Sequence, residues 1–146
     1  MVMPPPLYPL AMILIAVALQ WVFPIRLPRD PLTGFSGGMT ALGAILLLRG
    51  SMVTFKREKT PLEPWKATKT LVTDGVFKIS RNPVYLAFLF VQAALAWWTG
   101  NAWMLGLIAV TWTLLDRLQV RREEAYLLAQ FGDQYRDYCR RVRRWL

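Results

Sequence analysis

The sequence predicts an all-α polytopic membrane protein, a single domain over 1–146 with about four transmembrane helices and a basic amphipathic helix at its C-terminal end. Three observations predict it. The 146 residues are 55% hydrophobic yet carry a net charge of +9, and the mean hydropathy is +0.30. The apolar residues fall in blocks, with Lys and Arg between the blocks. No block shows the sustained period-two alternation of a half-buried strand.

The first block, 7–23, is closed by Pro24. The second, 34–55, encloses Arg49. The third, 83–98, follows Asn82-Pro83, an N-cap residue with proline at the first helical position. The fourth, 102–118, is expected to run on as one helix past Asp116. A span needs about 20 residues, so the third and fourth must borrow from their flanks. The start, MVMPPPLYPL, has no basic n-region and no small-residue cleavage site, and so does not read as a cleaved signal peptide.

Charge sets the expected topology. The loop 56–82 holds Lys56, Arg57, Lys59, Lys66, Lys69, Lys78 and Arg81. The segment after Leu115 holds Arg117, Arg121, Arg122, Arg136, Arg140, Arg141, Arg143 and Arg144. Together these are 15 of the 18 basic residues, in two segments separated by two spans. The positive-inside bias puts both segments, and with four spans both termini, on the cytoplasmic side of an inner membrane. Trp97, Trp98 and Trp103 flank the short opposite loop, where interfacial aromatics belong.

In the tail, 119–146, Leu127, Phe131, Tyr135, Tyr138, Val142 and Trp145 recur at helical spacing. Most of the arginines take the other face, and Gly132 is a potential break. Such a helix is expected to lie on anionic headgroups and stabilise the protein there.

Several chemistries are excluded. Apolar blocks this long leave no basic soluble face for nucleic acid. Without histidine, and with Cys139 as the sole cysteine, zinc sites, Ser-His-Asp triads and internal disulfides are ruled out, and no metal is expected. There is no Gly-rich phosphate loop.

Two polar features remain at the expected cytoplasmic face. Thr73-Asp74-Gly75 is a turn signal, after which Arg81 stands beside a helix start whose free N–H groups favour an anion. The plainer reading is a capped helix with Arg81 meeting a lipid phosphate. The second feature is Glu123-Glu124 after the last block. Adjacent helical residues point about 100° apart, so only one can face a small ligand squarely. Ordinary ion pairing is the plainer reading there. Together they describe a pocket with a cation, a helix start, a carboxylate and aromatics, suited to a zwitterionic ligand with a flat ring.

The segments TPLEPWKATKTLVTDGVFKISRNPVYLAF, 60–88, and EEAYLLAQFGDQYRDYCRRVRRWL, 123–146, resemble the isoprenylcysteine carboxyl methyltransferase family, related to the small membrane phospholipid methyltransferases. The resemblance implies methyl transfer from S-adenosylmethionine, at the cytoplasmic membrane face, to a lipophilic carboxylate or amine. It places the cofactor on Val72, Gly75, Arg81, Asn82, Pro83, Tyr85, Glu123 or Glu124, Tyr135 and Tyr138, with Arg81 and Glu124 as the candidate catalytic pair. Arg143 would help close the pocket on substrate. Arg49 is a candidate headgroup contact, with snorkelling as its plainer role. Eukaryotic carboxyl methyltransferases typically have histidine at the position of Asn82; the Asn form resembles the bacterial and phospholipid-methylating branches. Ala87 stands where many relatives have glycine.

Two other functions fit a chain of this size. A small four-span transporter would need an acidic residue inside a span, and the first three blocks have none. A non-enzymatic scaffold binding anionic lipid explains the arginines but not the Arg-Asn-Pro-x-Tyr segment.

Overall fold

A computed structural model describes residues 3–59 and 70–146. Lys66, Lys69 and the first part of the family-like segment lie outside them. The described residues are helical, with one isolated bridge between Arg26 and Asn101 and no strand. In chain order the helices are α1 (Leu7–Val22), α2 (Pro31–Arg57), α3 (Pro83–Thr99), α4 (Ala102–Gly106), α5 (Ile108–Leu115), α6 (Arg121–Phe131) and α7 (Asp133–Arg141). A 3-10 turn, Gly75–Lys78, precedes α3, and a π-helical turn, Asp116–Val120, joins α5 to α6.

Helix α2 starts three residues ahead of the expected block. The Asp30 side chain accepts the Thr33 N–H at 2.8 Å, the Thr33 hydroxyl accepts the Asp30 N–H at 3.1 Å, and Pro31 takes the first helical position. That reciprocal cap outweighs the polar character of the first turn. Lys56 and Arg57 close the helix where its dipole favours cations.

Four full-length spans are not what the described residues contain. Only α2, with 27 residues, is by itself long and apolar enough to cross a bilayer. Helix α1 has 16 residues and α3 has 17, both under the roughly 20 a span needs. The expected fourth span is interrupted at Leu107, between α4 and α5, and winds more loosely over 116–120. Asp116, Gln119 and Val120, spaced i, i+3 and i+4, lie on one face of this stretch and are all buried. The outward faces are apolar nonetheless. Leu14 and Trp21 on α1, Phe35, Leu46 and Val53 on α2 and Trp112 on α5 are all exposed. A water-soluble surface seldom carries so many large apolar groups.

Small residues let α2 and α3 approach closely. A Cβ on Gly43 would lie 2.7 Å from the Phe90 ring, so only glycine admits this contact. Beneath it Gln92, fully buried, donates to the Met104 carbonyl at 2.9 Å and accepts from the Thr111 hydroxyl at 2.7 Å. Its amide is thereby satisfied on both sides, as a buried polar group must be.

The two ends of the bundle differ. At one end, the segment 25–29 pairs with 99–102: Leu27 N–H donates to Gly100, Ala102 N–H to Ile25, and the Arg29 guanidinium to the Thr99 carbonyl. Trp103 Nε1 donates to the Phe23 carbonyl at 2.7 Å. At the other end lie the close of α2, the 3-10 turn, the start of α3 and the tail.

The tail departs from its expected course. Its apolar stripe does not lie free for a membrane surface: Phe77, Tyr135, Tyr138 and Val142 form a buried cluster, with Phe55, Leu71, Val72, Leu127 and Phe131 against it. Burying this stripe on the protein's own loop satisfies it more completely than a headgroup layer would. Gly132, at φ +52°, does break the helix there. After α7 the chain turns extended at Val142, and Trp145 joins a second cluster built on Tyr8, Tyr85, Leu89, Leu115 and Val120.

Candidate active site

The site begins with a left-handed residue. Gly75 has φ +59°, and a Cβ there would meet the Thr54 hydroxyl at 2.6 Å. Glycine thus allows the 3-10 turn to dock on the end of α2. Asp74, just before it, pairs with Lys78 at 3.1 Å and Arg57 at 3.0 Å; these cations hold its carboxyl below the usual range. Val72 packs in the tail cluster beside the turn.

Pro83 occupies the first position of α3, but Asn82 does not cap the helix with its side chain. Its amide instead donates to the Arg144 carbonyl at 3.0 Å, and its N–H to the Ser80 hydroxyl at 3.1 Å. The tail crosses this point and offers a carbonyl, which competes with the local cap. The Arg81 N–H donates to the Arg143 carbonyl at 3.1 Å, so the extended segment after Val142 lies across the start of α3.

The two glutamates part as adjacent helical residues must. Glu123 turns inward and accepts a hydrogen bond from the Tyr85 hydroxyl. Glu124 faces Arg81, with Arg81 Nη1 3.1 Å from its Oε1. Arg144 grips the same carboxylate through two contacts, Nε to Oε1 at 3.1 Å and Nη2 to Oε2 at 2.7 Å. Arg81 also donates to the Tyr135 hydroxyl at 3.4 Å and to the Cys139 sulfur, while its buried Nε has no partner among the described residues. Beside these groups is an open cleft of about 500 Å³, lined by Arg81, Arg121, Glu124, Ala125, Leu128, Tyr135, Arg136, Cys139, Arg140 and Arg144.

The sequence-predicted residues therefore divide. Arg81, Glu124 and Tyr135 line the cleft. Tyr85 and Glu123 bond to each other and are not among the residues lining the cleft. Tyr138 donates to the Phe77 carbonyl at 2.6 Å and serves the tail cluster. Burial raises the phenol pKa of both Tyr135 and Tyr138, keeping both neutral. The Arg143 side chain is exposed, and Arg144 takes the inward place expected for it. In the extended segment Val142 points in and Arg143 out, an alternation a helical reading of the tail cannot give. Arg49 is exposed on α2 and does not line the cleft. Arg144, Cys139 and Asp116 carried no sequence signal of their own: Arg144 is one of four arginines between 140 and 144.

Although Glu123 as a residue is only half-buried, its carboxyl sits deep. Burial pushes it up to about 7, aided by the neighbouring Glu124 charge and opposed by the Tyr85 hydrogen bond. A raised acid binds its proton more tightly in the folded state, so this group's stabilisation is full below about 4.5 and is lost as pH rises through about 7. Thermal unfolding midpoints in detergent should fall between pH 5 and 8, and Glu123→Gln should flatten that slope. With no histidine in the chain, few other groups change charge in this window.

A family model described as phospholipid methyltransferase matches residues 32–134. An uncharacterized protein of Haemophilus influenzae is 42% identical over 65 residues, which are 43% of this chain and all of that one. A protein-S-isoprenylcysteine O-methyltransferase of Schizosaccharomyces pombe is 33% identical over 79 residues, covering 49% of this chain and 30% of the relative. Methanethiol S-methyltransferase 2 of Bradyrhizobium diazoefficiens is 33% identical over 101 residues, 68% of this chain and 32% of the relative. The chain thus spans about a third of the length of each of these two enzymes. No solved structure matches significantly.

Proposed function

The chain belongs to the phospholipid methyltransferase family, a family of membrane methyltransferases, and from that premise we propose that it moves a methyl group from S-adenosylmethionine to a lipophilic acceptor at the cytoplasmic membrane face. The observation that carries the reading is the Arg81–Glu124–Arg144 arrangement beside the cleft, where the start of α3 meets α6.

The residues present fit the donor. The unpartnered Nε of Arg81 leaves a buried cationic donor for an amino-acid carboxylate. Glu124 suits an ammonium or ribose hydroxyls, and Tyr135, Leu128 and Ala125 offer the less polar wall for a ring. The volume is within the range of small-molecule sites, about 300–1,000 Å³. S-adenosylmethionine supplies a sulfonium methyl that needs no further activation. The protein's share is orientation and exclusion of water, and orientation alone can be worth ~7–11 kcal/mol of barrier.

A carboxylate acceptor needs no base. An amine, or a thiol of the kind named for the Bradyrhizobium relative, must lose a proton. Glu123 has the better matched acidity, but Tyr85 covers it; Glu124 is the carboxylate that reaches the cleft. The exposed apolar faces of α1, α2 and α5 would meet lipid, with α1, α3 and α4–α5 completing the crossing beside α2. The basic loop and tail would face anionic headgroups of the inner leaflet, and Arg49 would snorkel to them.

Isothermal titration with S-adenosylhomocysteine on detergent-solubilised protein should show binding. Labelled methyl transfer into a total lipid extract, followed by mass identification, should name the acceptor. A folded helical protein that binds no S-adenosylhomocysteine would end this reading.

A further inference from the structure

Asp116 sits in the π-helical turn after α5, its side chain 7% exposed. Its Oδ2 accepts from Arg121 Nε at 3.0 Å. Its Oδ1 accepts from Trp145 Nε1 at 3.3 Å and from Arg144 Nη1 at 3.5 Å. Arg144 therefore stands between two carboxylates, Asp116 on one edge of its guanidinium and Glu124 on the other. An arginine is a rigid fork on a long, mobile stem. Anchoring one edge of the fork fixes where the other edge points.

The geometry points to Asp116 as a positioning residue for the methyl-transfer site: it fixes Arg144, through Arg144 it sets Glu124, and with Trp145 it holds the segment 142–146 closed across the start of α3. This rests on the proposed donor site, in which Glu124 takes part. Three observations converge on it. Asp116 shares the inward face of this stretch with Gln119 and Val120, at i, i+3 and i+4, and all three are buried, so its carboxylate is presented to the tail from a packed face. The closed segment is held at its other edge by the Arg81 N–H and the Asn82 amide, so both sides of the strap are tied to site elements. Trp145 also packs near Trp112, at a ring separation of 6.0 Å, so the indole bond is set within an apolar contact.

Asp116→Asn keeps the shape and an acceptor for Trp145 but removes the charge that anchors Arg144. Two measurements test it. Tryptic cleavage after Arg144, read by intact mass as loss of the last two residues, should quicken at least fivefold. Affinity for S-adenosylhomocysteine should fall five- to tenfold, but in an Arg144→Met background the same change should alter affinity less than twofold, because the intermediary is gone. Unchanged cleavage, or an affinity loss that adds in full to that of Arg144→Met, overturns the inference. If Asp116→Asn does not fold, Trp145→Phe, which keeps the packing and drops the indole bond, should also quicken cleavage; no change would overturn the closed strap. If the unaltered protein binds no S-adenosylhomocysteine, the donor site fails, while the cleavage rates still decide whether Asp116 holds the tail.

Discussion

Glu124→Ala lowers the affinity for S-adenosylhomocysteine at least tenfold, about 1.4 kcal/mol or more, and Arg81→Ala does the same. The reason goes beyond one lost contact. Glu124 is shared by two guanidiniums, Arg81 at 3.1 Å and Arg144 at 2.7 Å. Without it the two cations face each other across the cleft with no anion between them. Arg144 keeps its contact with Asp116, but among the described residues the Arg81 side chain keeps only the Tyr135 hydroxyl and the Cys139 sulfur. Charged partners form the stronger hydrogen bonds, so the geometry that receives a zwitterion is lost with the carboxylate. Glu124→Gln should fall between, because the amide keeps an acceptor but not the charge. Titration calorimetry on the three variants checks the order; equal affinity for Glu124→Ala and the unaltered protein would contradict it.

Leu115→Ala should destabilise the protein by about 2–5 kcal/mol, the range for truncating a large buried aliphatic side chain. Leu115 is fully buried and lies where α1, α3 and the tail converge, among Tyr8, Tyr85, Leu89 and Val120, with Trp145 packed against the same cluster. The contacts of the lost Cγ and its two methyl groups cannot be regained by collapse when aromatic rings frame the gap. The cavity would also sit one residue before Asp116, so the tail's anchor should loosen as the core does. Equilibrium unfolding in mixed micelles gives the stability. A loss under 1 kcal/mol would mean that the cluster does not close around this side chain.

Much of this organisation was legible before any coordinates. Blocks of apolar residues predicted helices, and helices formed, because backbone groups in such segments must pair internally. The order Arg81, Asn82, Pro83, Tyr85 predicted a helix start with a cation beside it, and α3 begins at Pro83. The adjacent glutamates predicted divergent directions, and the side chains point apart, Glu123 to Tyr85 and Glu124 to Arg81 and Arg144, since about 100° per residue is a property of the helix itself. The capping box at Asp30 was also written in the sequence, four residues ahead of the first glycine of the block, where apolar counting overlooked it.

Other features were beyond local reading. The tail's stripe had the period of a surface-bound helix, yet it found a partner in Phe77 and Phe55 from distant chain. Nothing in the run Arg140-Arg141-Val142-Arg143-Arg144 marks Arg144 as the residue that turns inward; the extended backbone at Val142 makes that choice. Asn82 gave its amide to a carbonyl 62 residues away in place of its own helix. By itself, then, the sequence determined the helical class, the basic face and the residue types available to hold a methyl donor, because periodicity, charge and turn chemistry act within a few residues. Only the tertiary structure decided which arginine meets Glu124 and what Asp116 holds, because those contacts depend on segments that meet in space across a separation no local pattern records.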